Sequence, residues 1–312
     1  MDTRLPSIRC VECGALIDSG PFTPNHRGGA PRASGYPSCL RKCEACGIGF
    51  SNAKIAKTSH LTLILRDPFA QLPTWISEDS NSALKYCLNK AHATKKQMDF
   101  QSLYPEDHVT WTVTKLLKRE RALGRMFGHP GDKEPNLLIW GVPIPYARNP
   151  EGHALRQRVI ALLNGFGEHS RFRTEPDLVL DFGDNGLVIV EAKLFSPNDK
   201  RPPDYAGWRL YLSPSAFHDV ECARTTGLYQ LVRNWRLGIE LAAGRPFTLV
   251  NLAPTFTSTE RSELACLRIA CGTTATRHVC LRNWANLLAS ISIPDWFPPY
   301  AQRRGVPFRA GS

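Results

Sequence analysis

Hydrophobic positions along this chain repeat with two different periods, and the change of period marks the elements. In PEGHALRQRVIALLNGFG the apolar residues Leu155, Val159, Ile160, Leu162 and Leu163 form one stripe at helical spacing. Pro150 at its start, Glu151 in its first turn and Gly165 after its last apolar turn bound a helix. In EPDLVLDFGDNGLVIVEAKL, residues 175 to 194, the period falls to two. The stretch predicts two strands joined by GDNG, a strong hairpin signal. SRFRT before it predicts a short edge strand. After a Pro- and aromatic-rich insertion, ECARTTGLYQLVRNWRLGIELAAG predicts a long helix ending at Gly244. PFTLVNLAP then predicts a strand bounded by prolines, and TSTERSELACLRIA a helix opened by a capping box.

The flanking regions are patterned differently. NSALKYCLNKAHATKKQM and VTWTVTKLLKRERALGRMFG have helical spacing, and NLLIWGVPIPYARNP is a short apolar strand or a buried linker. The end of the chain, from LRNWANLL onward, predicts one helix and a Pro-rich basic tail. The first 58 residues show no long hydrophobic period and are dense in Gly, Pro and Ser. These patterns divide the chain into four parts: a small module at 1–58, a mostly helical region at 59–147, a core at 148–280 and a C-terminal helix with its tail at 281–312.

Composition narrows the picture. The 312 residues, 42% hydrophobic and 21% charged, suffice for a sizeable core. No apolar run approaches the roughly 20 residues of a membrane span, and MDTRLPSIRC lacks the apolar centre of a signal peptide. The expectation is a soluble, non-secreted, cytoplasmic protein with no membrane partner. A formal charge of +11 favours a polyanion, nucleic acid being the commonest. Lys115, Lys118, Arg119, Arg121 and Arg125 are candidates for phosphate contacts, against a plain solvated helix face.

Half of the ten cysteines lie within the first 46 residues. CVECG (Cys10, Cys13) and CEACG (Cys43, Cys46) are two CxxCG units, and a CxxC turn lets both thiolates reach one metal. The following glycine permits the tight turn. Together they predict a four-cysteine Zn2+ site, closed and therefore structural, resembling a zinc ribbon. Cys39 and His26 are weaker candidates as ligands. Lys42, Arg41, Lys54 and Lys57 nearby would suit DNA.

The hairpin poses a physical problem. Asp177, Val179 and Asp181 share one strand face, and Glu191 and Lys193 share one on the second arm. A turn centred on Asp184 sets Asp177 opposite Glu191, on the same face of the hairpin. A turn centred one half-step later would break the alignment unless a bulge restored it. Two adjoining buried carboxylates repel, so one should keep its proton unless a divalent cation lies between them. Mg2+ takes such oxygen ligands together with water and phosphate. Lys193 would then serve the attacking water.

Pro176–Asp177 followed across a hairpin by Glu191–Ala192–Lys193 resembles the PD-(D/E)xK nuclease superfamily. The resemblance covers roughly residues 150 to 254. It implies a restriction-endonuclease-like α/β (α+β) fold, a mixed sheet flanked by helices in the order helix, three strands, helix, strand. It also implies Mg2+-dependent hydrolysis of DNA, with double-stranded DNA as partner, a restriction or phage-defence setting, and a homodimer as one allowed assembly. Members often add a helix glutamate, for which Glu151 is the first candidate and Glu168 the second. Some branches add a glutamine on the later helix, where this chain offers Gln230, with Arg233 one turn on. The competing expectation is a DNA-binding or scaffold protein that keeps a nuclease-derived fold without cleavage.

Overall fold

A computed structural model describes residues 3–53, 62–89, 96, 100–101, 106–128, 133–169, 173–194 and 196–308. Its centre is a six-stranded mixed sheet in the order β11-β10-β9-β8-β6-β7. The strands are β6 (Asn136–Ile139), β7 (Val142–Ile144), β8 (Leu178–Asp181), β9 (Leu187–Ala192), β10 (Phe247–Ala253) and β11 (Arg277–Asn283). β9, β10 and β11 run parallel, whereas β8, β6 and β7 pair antiparallel in turn.

Strand alternation sorts the core into two layers. Leu178, Leu180, Val188, Val190, Val250 and Leu252 pack with Val109, Trp111, Val113 and Leu116 of the helix Glu106–Arg119. Val179, Leu187, Ile189 and Leu249 face the other way, toward the helices Pro150–Gly165, Tyr229–Ala242 and Ser258–Ala270. Because both faces are covered, β9 and β10 are apolar nearly throughout. These four helices are named α1 (Glu106–Arg119), α2 (Pro150–Gly165), α3 (Tyr229–Ala242) and α4 (Ser258–Ala270).

Several expectations change at this level. NLLIWGVPIPYARNP is neither a single strand nor a linker but the β6–β7 hairpin. Trp140 and Gly141 both take positive φ, 49° and 73°, as a two-residue hairpin turn requires. The sheet therefore begins within the region expected to be mostly helical. Of SRFRT, Ser170, Arg171 and Phe172 lie outside the described residues, and Arg173 and Thr174 form no strand. The place beside β8 belongs instead to β6, whose Leu138 and Leu137 offer it a longer apolar run. RHVCLRN, its LRN expected to open the C-terminal helix, is β11, with exposed His278 and Arg282 on a sheet edge, where charge is tolerated.

The Pro-rich tail also holds a helix, Phe297–Arg304, with prolines in its first turn, where their missing N–H groups cost nothing. Phe297 and Tyr300 reach the core beside α1. The predicted helix in VTWTVTKLLKRERALGRMFG breaks at Arg121, which has φ 50°, and resumes as Leu123–Met126. NSALKYC becomes the helix Ser80–Tyr86, and most of the remainder of that stretch lies outside the described residues. The capping box is present, with Thr257 and Glu260 bonded reciprocally at the start of α4.

The small module carries β1 (Ile8–Arg9), β2 (Leu16–Ile17), β3 (Arg41–Cys43), β4 (Ile48–Phe50) and β5 (Leu63–Leu65). β5 pairs with β4, so the module's sheet runs past residue 58 to Leu65. Among the described residues no helix is long and apolar enough to cross a membrane.

Candidate functional site

The β8–β9 pairing places Leu178 opposite Val190 and Asp181 opposite Leu187, a register centred on Asp184. A short helical turn, Gly183–Asn185, closes the loop, with Gly183 and Gly186 at positive φ. Extended by one residue, that register faces Asp177 with Glu191. The Asp177 Oδ2 atom accepts a hydrogen bond from the Ala192 N–H at 2.7 Å, and the Asp177 carbonyl accepts from the Trp140 N–H at 3.1 Å. The Lys193 Nζ lies 2.8 Å from Glu191 Oε1. Asp177, Glu191 and Lys193 thus meet at the carboxyl ends of β9 and β10, the end of an open α/β sheet where ligands bind.

Glu191 is only 2% exposed and Lys193 9%. The second Glu191 oxygen accepts from Asn234 Nδ2 of α3 at 2.7 Å. Lys193 is fixed through its backbone as well. Its N–H donates to Leu252 and its carbonyl accepts from the Trp284 indole. Burial, joined by the charge of Glu191, pushes the Asp177 carboxyl well above the usual range. Burial alone would lower the Lys193 ammonium, but Glu191 and Asp177 outweigh it and hold its pKa above the ordinary value.

Other polar residues gather at the same end. Glu106, in the first turn of α1, accepts from the Leu194 N–H and from Ser196 Oγ, the latter at 2.7 Å. Its neighbour Asp107 adds to the raised Asp177 pKa. Lys96 bridges Asp107 and Glu175 at 3.3 and 3.2 Å over the Trp140 ring. Carboxyl groups therefore outnumber ammonium groups here by five to two: Glu106, Asp107, Glu175, Asp177 and Glu191 against Lys96 and Lys193. A cation would offset that excess of charge, but among the described residues the one group of three or more side chains placed to hold a metal ion is the cysteine cluster, not these carboxylates.

The helix residues expected at the site lie elsewhere. Glu151 is exposed in the first turn of α2, where it complements the helix N-terminus. Glu168 is buried and committed to Thr174 and the Tyr211 hydroxyl, 2.6 Å away. α1 supplies the helix carboxylates beside the hairpin, through Glu106 and Asp107. Gln230 does not touch Glu191. It accepts from the Asp199 N–H at 3.0 Å and anchors the insertion after Lys193, while Asn234 one turn on reaches Glu191. Of the basic run, Arg121 and Arg125 are exposed beyond the end of α1, whereas the three residues within α1 are engaged. Lys115 is buried, Lys118 lies 3.8 Å from Glu134 and Arg119 covers the Trp75 ring.

The sulfur atoms of Cys10, Cys13, Cys43 and Cys46 lie within 4.8 Å of one another, with those of Cys13 and Cys43 3.7 Å apart. Tetrahedral zinc with ~2.3 Å bonds would separate its sulfurs by about 3.8 Å. Gly14 and Gly47 have φ 72° and 65°, the left-handed turn expected after each CxxC. Burial pushes the Cys10 thiol up, but N–H groups of Cys13 and Glu12 outweigh it and leave its pKa at about 7. The four cysteines are placed to hold a metal ion and are compatible with structural zinc. Cys39 is not among them; its thiol is buried against the Gly35 carbonyl. Arg41 is not a DNA contact either, because its guanidinium is buried and donates to the Pro6, Ser51 and Ala53 carbonyls. Lys54 and Lys57 lie outside the described residues.

No protein-family model, curated protein or solved structure matches this chain.

Signals for the residues missed were present but faint. Asn234 follows Gln230 at helical spacing, and Asn251 is the one amide in the mostly apolar stretch FTLVNLA. Glu106 and Asp107 are separated from the hairpin by some seventy residues, and only the fold joins them.

Proposed function

We propose that this chain is a Mg2+-dependent endonuclease of the PD-(D/E)xK type that hydrolyses double-stranded DNA, in a restriction or phage-defence setting. The observation that carries the reading is the convergence of Asp177, Glu191 and Lys193 at one sheet end, with Lys193 2.8 Å from Glu191. The order of elements supports it. α1, β6, β8, β9, α3 and β10 follow as helix, three strands, helix, strand, with β7 and α2 inserted between the first two strands. On this reading α1, not α2, is the helix that precedes the strands and lends its carboxylates.

Asp177 and Glu191 would hold the magnesium, with Asp107 or Glu106 beside them. Bound there, the ion supplies charge stabilisation at phosphoryl oxygens and acidifies a water molecule. Lys193 keeps its proton beside two carboxylates and donates hydrogen bonds to the attacking water and to a phosphate oxygen. Asp177, held by the Ala192 N–H, cannot swing away from Glu191. The net charge of +11 draws the polyanion to the protein.

One observation favours the alternative, a DNA-binding scaffold without cleavage. Both Glu191 oxygens already have donors, Lys193 and Asn234. A nicking assay on supercoiled plasmid with Mg2+ separates the two readings. The wild type should nick, and Asp177→Ala and Lys193→Ala should be slower by 100-fold or more. Equal rates for all three proteins would remove the nuclease reading.

A further inference from the structure

The polar group least explained by the fold is a buried amide pair beneath Glu191. Asn234 and Asn251 are both fully inaccessible to solvent. Asn234 donates its Nδ2 to Glu191, and an ionised carboxylate can only accept, so the Asn234 Oδ1 must point the other way. That oxygen has no hydrogen-bond partner among the described residues, and neither do the Nδ2 and Oδ1 of Asn251. Asn251 is the registered neighbour of Glu191 on the parallel strand β10. Registered neighbours lie about 4.8 Å apart and send their side chains to the same face. Here that face is covered by α3, the helix that carries Asn234.

Three polar side chains thus share one dry layer, each from a different element: Glu191 from β9, Asn251 from β10 and Asn234 from α3. Leaving buried amides unmatched is costly, and apolar residues would fill the same space without that cost. We infer that Asn234 is a positioning residue that turns the Glu191 carboxylate so that Oε1 faces Lys193 and Asp177. The direction of donation is set by chemistry. Glu191 accepts from Asn234, whereas Asn251 lies beside Glu191 on the adjoining strand with no direct hydrogen bond to either. The kinetic consequence of this inference rests on the nuclease reading, but its structural consequence does not.

The test compares wild type, Asn234→Leu, Asn234→Ser and Asn251→Leu by crystallography, Mn2+ titration calorimetry and plasmid nicking at saturating Mn2+. In Asn234→Leu, Glu191 should leave Lys193, Mn2+ affinity should fall at least fivefold, and kcat at least tenfold. The KM for DNA should change less than twofold, which a general loss of structure would not produce. Asn234→Ser, which keeps a donor, should recover part of each loss, and Asn251→Leu, which removes no hydrogen bond to Glu191, should leave the Glu191–Lys193 pair in place. Should Asn234→Leu fail to fold, Asn234→Ala takes its place under the same criteria. A folded donor-free Asn234 variant that keeps the Glu191–Lys193 pair unchanged, or binds Mn2+ as the wild type does, overturns the positioning role. A wild type that neither binds Mn2+ nor nicks overturns the nuclease reading instead, and the crystallographic criterion still decides the role of Asn234.

Discussion

At neutral pH an aspartate in water is ionised, yet Asp177 lies in a partly dry notch facing Glu191, and burial and that neighbouring charge push its carboxyl well up. A carboxyl whose pKa is raised by folding binds its proton more tightly in the folded state. The stability it lends is fully present below the unfolded value, about pH 4, and is lost as pH rises through the higher folded value. Metal-free protein is therefore penalised at neutral pH by the residue the proposed chemistry needs. Asp177→Asn keeps an acceptor for the Ala192 N–H and removes the charge. It should stabilise the metal-free protein at pH 7 by about 1 kcal/mol, the scale of a tenfold change in a protonation equilibrium. Urea unfolding at pH 7 and pH 3.5 checks the sign, since the gain should disappear at the lower pH; a gain of equal size at both would show that the site carries no such strain.

Between elements, the decisive spacing is that of α3 against β10. Gly238 lies one turn beyond Asn234, and a β-carbon there would come within 1.9 Å of the Phe247 ring. Phe247 is itself packed against Trp235, so its ring has little room to yield. The glycine lets the helix approach the sheet closely enough for Asn234 to reach Glu191. Gly238→Ala adds up to ~1 kcal/mol of helix propensity, but overpacking of a tight core costs about 1–3 kcal/mol. A net loss of about 1–2 kcal/mol in denaturant unfolding is expected, and cleavage should fall at least fivefold under conditions where the variant remains folded. Unchanged cleavage would mean that the site tolerates a shift of α3. The hairpin register belongs to this scale too. GDNG alone left open whether the loop was odd or even, and the positive φ of Gly183 and Gly186 allowed the three-residue turn that faces Asp177 with Glu191.

Over the whole molecule, the two parts are stabilised by different means. The central sheet is covered on both faces by apolar layers. Among the described residues the N-terminal module has two small clusters, one in which Cys10, Cys43, Ile48, Phe50 and Leu65 meet and one of Ala33, Tyr36, Cys39 and Ile64. A unit of that size needs a staple, and a metal held by the four cysteines would supply folding free energy. Arg303 of the C-terminal helix is tied to Glu12 of the module at 3.2 Å. Removal of metal with a chelator, or Cys43→Ser, should expose residues 10–46 to limited proteolysis while the melting of the central sheet stays within a few degrees. A protein that loses both together would show that the module is part of the sheet's own cooperative unit.

The sequence by itself determined what depends on nearest neighbours and on period. The strands 178–181 and 187–192, the helix 150–165, the capped helix after Thr257 and the paired CxxCG turns are each written in a short stretch of chain, where local propensity and burial agree, whereas the single helix expected over ECARTTGLYQLVRNWRLGIELAAG divides at Gly227, φ 71°, into Val220–Thr225 and Tyr229–Ala242. Tertiary structure decided which of these meet. Glu106 and Asp107 sit on a helix far upstream, and β6 enters beside β8 across the whole of α2. Asn234 rather than Gln230 faces Glu191, because the angle of α3 over the sheet selects between two residues one turn apart. A carboxylate becomes a candidate ligand only through the charges and dry surfaces around it. Those come from segments whose closeness follows from the packing of two apolar layers, which no local pattern records.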